Sequence, residues 1–187
     1  MSDAPNFKVL NTEVNMDNTL FSIRGDLDGT KTGKEDFLDT QQFIGLIVGE
    51  EEFLLPIGVM NEIIMISHMT FVPRGPKYVE GVINLRGKIL PALNLRQIMG
   101  LETIPPTPMS RIIIVSNDDD TMGLLVDGIT YVVSLSPEQL EDRSLTLKGT
   151  SIELVNRISK RGNKVNGIMD ISKVLQEVQK ENDEKVD

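Results

Sequence analysis

The sequence predicts a mostly β protein in which two small barrels, each of about five short strands, pack into one body. Three observations predict it. Apolar runs are short and are punctuated by glycine, proline and acidic turns, which is the patterning of strands rather than helices. The same order of runs then occurs twice along the chain, as in a duplicated unit. Aromatics make up only 4% and tryptophan is missing, so a core has to be built from Ile, Leu, Val and Met.

Residues 1 to 40 are polar and acidic, and their apolar clusters, Val9-Leu10 and Leu20-Phe21-Ile23, follow neither the helical nor the strand period. An extension without fixed structure is expected there. Order is expected from Gln42 onward. Phe43 to Val48 and Phe53 to Ile57 flank the charged turn Gly49-Glu50-Glu51-Glu52, and a bend near Gly58 to Asn61 leads into a strand at Ile63 to Ile66. Pro73, Gly75 and Pro76 then break the chain before Tyr78.

The stretch Gly81 to Met99 is the most informative. Val82 to Leu85 and Ile89 to Leu93 flank Arg86-Gly87-Lys88, which predicts a hairpin whose glycine takes the positive-φ turn position. Asn94 is then an N-cap, with Leu95, Ile98 and Met99 on one face of a short helix that Gly100 ends. Three prolines between Gly100 and Ser110 predict an extended linker and a boundary.

Beyond the linker, Ile112 to Val115, the turn Asp118-Asp119-Asp120, Met122 to Val126 and Tyr131 to Leu135 repeat the first order. A constant offset lays Leu124 over Leu55, Ile129 over Met60 and Val132 over Ile63. Ile158 to Leu175 in turn echoes Ile83 to Met99, matching Arg161-Gly162 to Arg86-Gly87 and the cap Asp170 to Asn94. An amphipathic stretch through Ile171, Val174, Leu175 and Val178 closes the chain before a charged tail. The expected organisation is thus an extension (1–40), a folded body (41–178) with halves of about 41–105 and 106–178, and a tail (179–187).

Composition narrows the function. A net charge of −9 opposes a phosphate backbone, so nucleic acid is a poor partner. With no cysteine there is no thiolate nucleophile, disulfide or zinc-finger ligand set, which fits a reducing, cytoplasmic compartment. No apolar run approaches a membrane span, and the N-terminus lacks signal-peptide character. His68 is the single histidine and is read as a surface residue at a strand end. Asp118-Asp119-Asp120 lacks EF-hand spacing, and the segment Gly29 to Glu35 is a weak match to a phosphate loop, with the wrong spacing and no preceding strand. No catalytic residue, cofactor site or metal site is therefore assigned, and an enzyme is not expected.

What remains is recognition through edge strands and a groove between halves. Arg86 would present its planar fork to a partner carboxylate, with Glu62 orienting the guanidinium.

These residues also carry a resemblance. Gly81-Val82-Ile83-Asn84-Leu85-Arg86-Gly87, followed by Ile89-Leu90-Pro91 and Leu95-Arg96, resembles the CheW family of bacterial chemotaxis coupling proteins. Supporting matches are Gly49 to Phe53, Val59 to Ile63, Gly123 to Gly128 and Ser134 to Leu140, over roughly residues 42 to 178. The resemblance implies two intertwined SH3-like five-stranded barrels with short helices, and a non-enzymatic adaptor bridging methyl-accepting receptors to the histidine kinase CheA through its regulatory domain. It implies receptor-facing roles for Arg86, Glu62, Met60 and Gly81, and a kinase-facing surface at Met65, Ile66, His68 and Met69. Asn94 stands where the family usually has Asp, a change that keeps the capping role. The other readings to weigh are a paralogous adaptor in a circuit such as pilus motility, and a barrel that senses a small ligand.

Overall fold

The computed structural model describes residues 40–73, 76–117, 120–142 and 153–183. The expected extension lies outside them apart from Thr40, as do Asp118 and Asp119 of the acidic turn. The apolar runs form β1 (Gln41–Val48), β2 (Glu51–Pro56), β3 (Met60–Met65), β4 (Met69–Phe71), β5 (Val79–Leu85) and β6 (Lys88–Asn94). A four-residue helix α1 (Leu95–Ile98) follows, and then β7 (Arg111–Asn117), β8 (Asp120–Val126), β9 (Gly128–Leu135), β10 (Leu140–Asp142), β11 (Val155–Arg161), β12 (Lys164–Met169) and α2 (Ile171–Asp183). The final helix runs on into the stretch expected to be tail, as far as Asp183.

Two six-stranded sheets result, ordered β3-β7-β8-β6-β5-β4 and β9-β1-β2-β12-β11-β10. Each sheet curls because its two end strands are joined by a single 3-10 turn, Ile66–His68 in the first and Pro137–Gln139 in the second. The sixth strand in each, β4 or β10, has only three residues, too few to show a period in the sequence. The orders are identical once β1 is read for β7 and β2 for β8. Each barrel thus takes two strands from one sequence repeat and four from the other, and the repeat in sequence is not the barrel in space.

Register confirms the duplication strand by strand. Ile44 faces Leu55 as Ile113 faces Leu124, and Ile63 faces Ile113 as Val132 faces Ile44. Bulges recur too, between Val79 and Gly81 in one hairpin and between Val155 and Arg157 in the other. A bulge re-aims the side chain it displaces. Here it turns Glu80 and Asn156 toward the helix caps. Asn94 Nδ2 donates to Glu80 Oε2 at 2.9 Å, while Asn156 Nδ2 donates to Asp170 Oδ2 at 3.0 Å, the same bond with amide and carboxylate exchanged. Each cap also accepts from a backbone N–H, that of Arg96 or Ser172, as expected for both.

The main core lies between the sheets, where Ile44, Leu46 and Val48 meet Ile113, Val115, Leu124 and Val126, closed by Leu95, Ile171 and Val174 of the helices and by Met99 at the C-terminal end of α1. Each barrel also has an interior of its own. In the first it is Ile83, Leu90, Ala92, Ile112, Ile114 and Leu125; in the second, Phe43, Leu54, Leu135 and Ile168.

Candidate protein-binding site

The hairpin β5–β6 closes with the two-residue turn Arg86-Gly87, with Lys88 already in the strand. Its strands twist right-handed, and a two-residue turn that follows this twist needs positive φ at both positions. Gly87 has φ 86° and Arg86 has φ 51°, and Arg86 is the single non-glycine residue in this region among those described. Asn84 Oδ1 accepts from the Gly87 N–H at 3.0 Å and holds the turn. A left-handed conformation costs a branched-free L side chain about 1 kcal/mol, which Asn or Gly at the same place would largely avoid. Sequence reading assigned positive φ to the glycine alone; the arginine's strain depends on the two-residue closure, which only the strand register defines.

The Arg86 side chain is 85% exposed, and its Nη2 lies 3.5 Å from Glu62 Oε1, itself 33% exposed. The expected pairing is present. In this setting an ion pair contributes about 0–1 kcal/mol, so its effect is to aim the guanidinium rather than to hold the fold. Glu62 comes from β3, at one end of the first sheet, and Arg86 from β5–β6 near the other, and the curl brings them together. Met60 is half-buried on β3 and packs against the main core.

Gly81 is buried, and the reason is local. A Cβ there would lie 2.5 Å from the Thr70 carbonyl oxygen and 2.8 Å from Met69 Cγ, so the close approach of β4 requires a glycine. Gly81 therefore supports the strand β4 that carries Met69. Met65, Ile66, His68 and Met69 run along the end of the first sheet, with Ile66–His68 forming the 3-10 turn rather than a strand end. Met65 is 56% exposed and Phe71, two residues past Met69, is 65% exposed. Sequence reading missed Phe71, because a single aromatic after the turn breaks no pattern.

The match of Arg161-Gly162 to Arg86-Gly87 is one residue out. Arg161 is the last strand residue of β11, pairs with Lys164, and lies 5.7 Å from the Tyr131 ring centroid. Gly162 occupies the position of Arg86, with φ 58°. The second hairpin tip thus places no side chain where the first presents its arginine.

A polar network missed in the sequence lies in the second barrel. Glu52 of β2 accepts from Thr130 Oγ1 (2.7 Å), Asn166 Nδ2 (3.2 Å) and Tyr131 Oη (3.3 Å), and it pairs with Lys164. Burial pushes the Glu52 carboxyl up, but the hydrogen bonds from Lys164, Thr130 and Asn166 and the Lys164 charge outweigh it and hold the group below the usual carboxylate range. The bond to Glu52 raises Lys164 in turn. Glu50 supplies the turn charge that was read there; Glu51 and Glu52 belong to the strand.

Among the described residues no three His, Cys, Asp or Glu side chains cluster to hold a metal, and no helix is long and apolar enough to cross a membrane. An exposed, strained arginine beside an apolar sheet end offers a partner contact area and a fixed register, so fold and site define a protein-binding module. The family model described as a CheW-like domain matches residues 42–179. The chain is 31% identical to the chemotaxis protein CheW of Helicobacter pylori over 142 residues, covering 76% of this chain and 86% of that protein. It is 29% identical to the chemotaxis protein CheW of Thermotoga maritima, covering 76% and 93%. It is also 33% identical to PilI of Pseudomonas aeruginosa, over 46% of this chain and 48% of PilI. The crystal structure of the scaffolding protein TtCheW from Thermoanaerobacter tengcongensis superposes with a TM-score of 0.64 at 28% identity, over 70% of this chain and 89% of that one. The chain belongs to the CheW-like domain family.

Proposed function

We propose that this chain is a cytoplasmic, non-enzymatic adaptor that couples methyl-accepting chemotaxis receptors to the histidine kinase CheA. The observation that carries the reading is Arg86, held at φ 51° and aimed by Glu62 on a CheW-like fold. A costly backbone conformation beneath an exposed cation suits a residue kept for contact rather than for folding. Arg86 faces the receptor, Glu62 orients it, Met60 adds apolar contact, and Gly81 keeps β4 in place beside them. Met65, Ile66, His68 and Met69 form the kinase-facing surface, and Phe71 extends it. The mechanism is simultaneous binding through two faces.

Pull-down with a receptor cytoplasmic tip tests this. Arg86→Glu is expected to abolish capture with an unchanged circular dichroism spectrum, and unchanged capture would remove Arg86 from the site. The likeness to PilI favours one second reading, the same adaptor chemistry in a pilus-motility circuit. Reconstitution with each cognate kinase separates the two, since the right kinase is activated only in the ternary complex.

A further inference from the structure

A cavity of about 180 Å³ opens where the start of β1, the turn after β2, the start of β11, the end of β12 and the start of α2 converge. Apolar side chains (Phe43, Val59, Ile168 and Ile171 among them) form one part of its wall, and Gln41, Asn156, Asp170 and Arg157 form the rest. Arg157 is half-buried, and its Nε is buried with no hydrogen-bond partner. Among the described residues neither nearby acid forms an ion pair with it. Both oxygens of Asp170 are already engaged, by Ser172 N at 2.9 Å and Asn156 Nδ2 at 3.0 Å. Asp142 stands opposite Arg157 in the β10–β11 ladder, yet no ion pair joins them. The Arg157 Nε–H is left desolvated and unpaired among the described residues at the edge of this mixed wall, an arrangement that a bound carboxylate would complete.

The first barrel lacks this arginine. Arg157 faces Ile168 as Gly81 faces Ala92, so this one ladder position holds the smallest side chain in one barrel and a long cation in the other. The size of the cavity selects its occupant. At about 30 Å³ per water it holds about six waters, below the several hundred Å³ usual for a cofactor or drug-sized ligand, but enough for one aliphatic side chain with a carboxylate beside it. Val59 on the cavity wall leads directly into Met60 of the proposed receptor face.

We infer that this cavity takes an Asp or Glu side chain, with a neighbouring aliphatic residue, from the receptor tip, and that Arg157 Nε–H donates to that carboxylate. The inference rests on the adaptor reading and adds a second anchor to it.

The test uses the full chain, a receptor-tip fragment, and the variants Arg86→Glu, Arg157→Gln and Arg157→Lys. Arg157→Gln is expected to weaken tip binding about tenfold and Arg157→Lys by less, with the Arg157 Nε–H resonance of the wild type shifting on saturation. Tip binding lost in Arg86→Glu but intact in Arg157→Gln overturns the cavity assignment alone. No tip binding by the wild type overturns the adaptor reading and the inference together. The side chain can also be imitated by 4-methylpentanoate. If this free acid shifts the Arg157 resonance while the tip does not, the site belongs to a small carboxylate and the inference fails.

Discussion

The two barrels share a backbone plan down to their bulges and helix caps, yet their interiors and tips differ. At one matched pair of facing positions the first barrel has Ile83 and Leu90, and the second has Ser159 and Asn166, all four buried. At the tip the first places Arg86 where the second has Gly162. Hydrogen-bonding geometry is thus kept in both copies, because every buried ladder, bulge and cap must be satisfied. Side chains within that frame are free to diverge, and the divergence separates an aliphatic barrel that carries an exposed arginine from a second barrel with a polar interior end. Ser159 Oγ and Asn166 Oδ1 have no partner there, so the second interior is the less well satisfied of the two.

The largest expected effect tests that contrast. Ile83→Ser should cost about 3 kcal/mol or more, from lost packing and an added unpaired hydroxyl, whereas Ser159→Ala should be neutral or slightly stabilising. Urea denaturation measures both, and equal costs would mean that the interiors are not different in kind. Gly81→Val comes next, at about 2–3 kcal/mol, because the Thr70 carbonyl leaves no room for its Cβ. At the matched position in the second barrel, Arg157→Val should change stability by less than about 1 kcal/mol in the same assay.

The Glu52–Lys164 pair gives an effect of about 1 kcal/mol with a defined pH dependence. The folded Glu52 is held below its reference value of 4.5, so its contribution is present above about 4.5 and is lost as pH falls through the lower folded value. Lys164 is raised above 10.5, so its contribution is present below that value and is lost as pH rises through the higher folded one. The stability gap between wild type and Glu52→Gln should therefore hold between the two reference values, 4.5 and 10.5, and close in acid as pH falls through the lowered value of the folded carboxyl. A gap that persists in acid would assign the effect to packing. Smaller still, Arg86→Gly should stabilise the fold by up to about 1 kcal/mol while abolishing receptor capture, because it relieves the left-handed strain and deletes the contact. Thermal melts read the first effect and pull-down the second; a destabilised Gly variant would show that the arginine supports the fold.

Much of this was legible in the primary structure, for identifiable reasons. Strand runs, the Asn94 and Asp170 caps and the hairpin at Arg86 depend on neighbours a few residues apart, and the local pattern carries them. The pairing of Glu62 with Arg86 was also anticipated, since both lie in one repeat. The slip at Arg161 has the opposite cause: similarity aligned two Arg-Gly pairs, while hydrogen-bond register places Gly162 at the tip. Glu52 was read as turn charge because Thr130, Lys164 and Asn166, which enclose it, lie far along the chain.

By itself, then, the order of residues determined that this protein is a duplicated β unit with capped short helices and an arginine at a hairpin tip. Tertiary structure alone decided that β1 and β2 join the strands of the second repeat while β7 and β8 join those of the first. It also decided that Arg86 carries the strain at its turn and that Arg157 Nε is left without a partner among the described residues in a cavity. The physical reason is that strand pairing between distant segments is set by which apolar faces can be buried together. No local propensity encodes that choice, and each of these side chains acquires its surroundings from it.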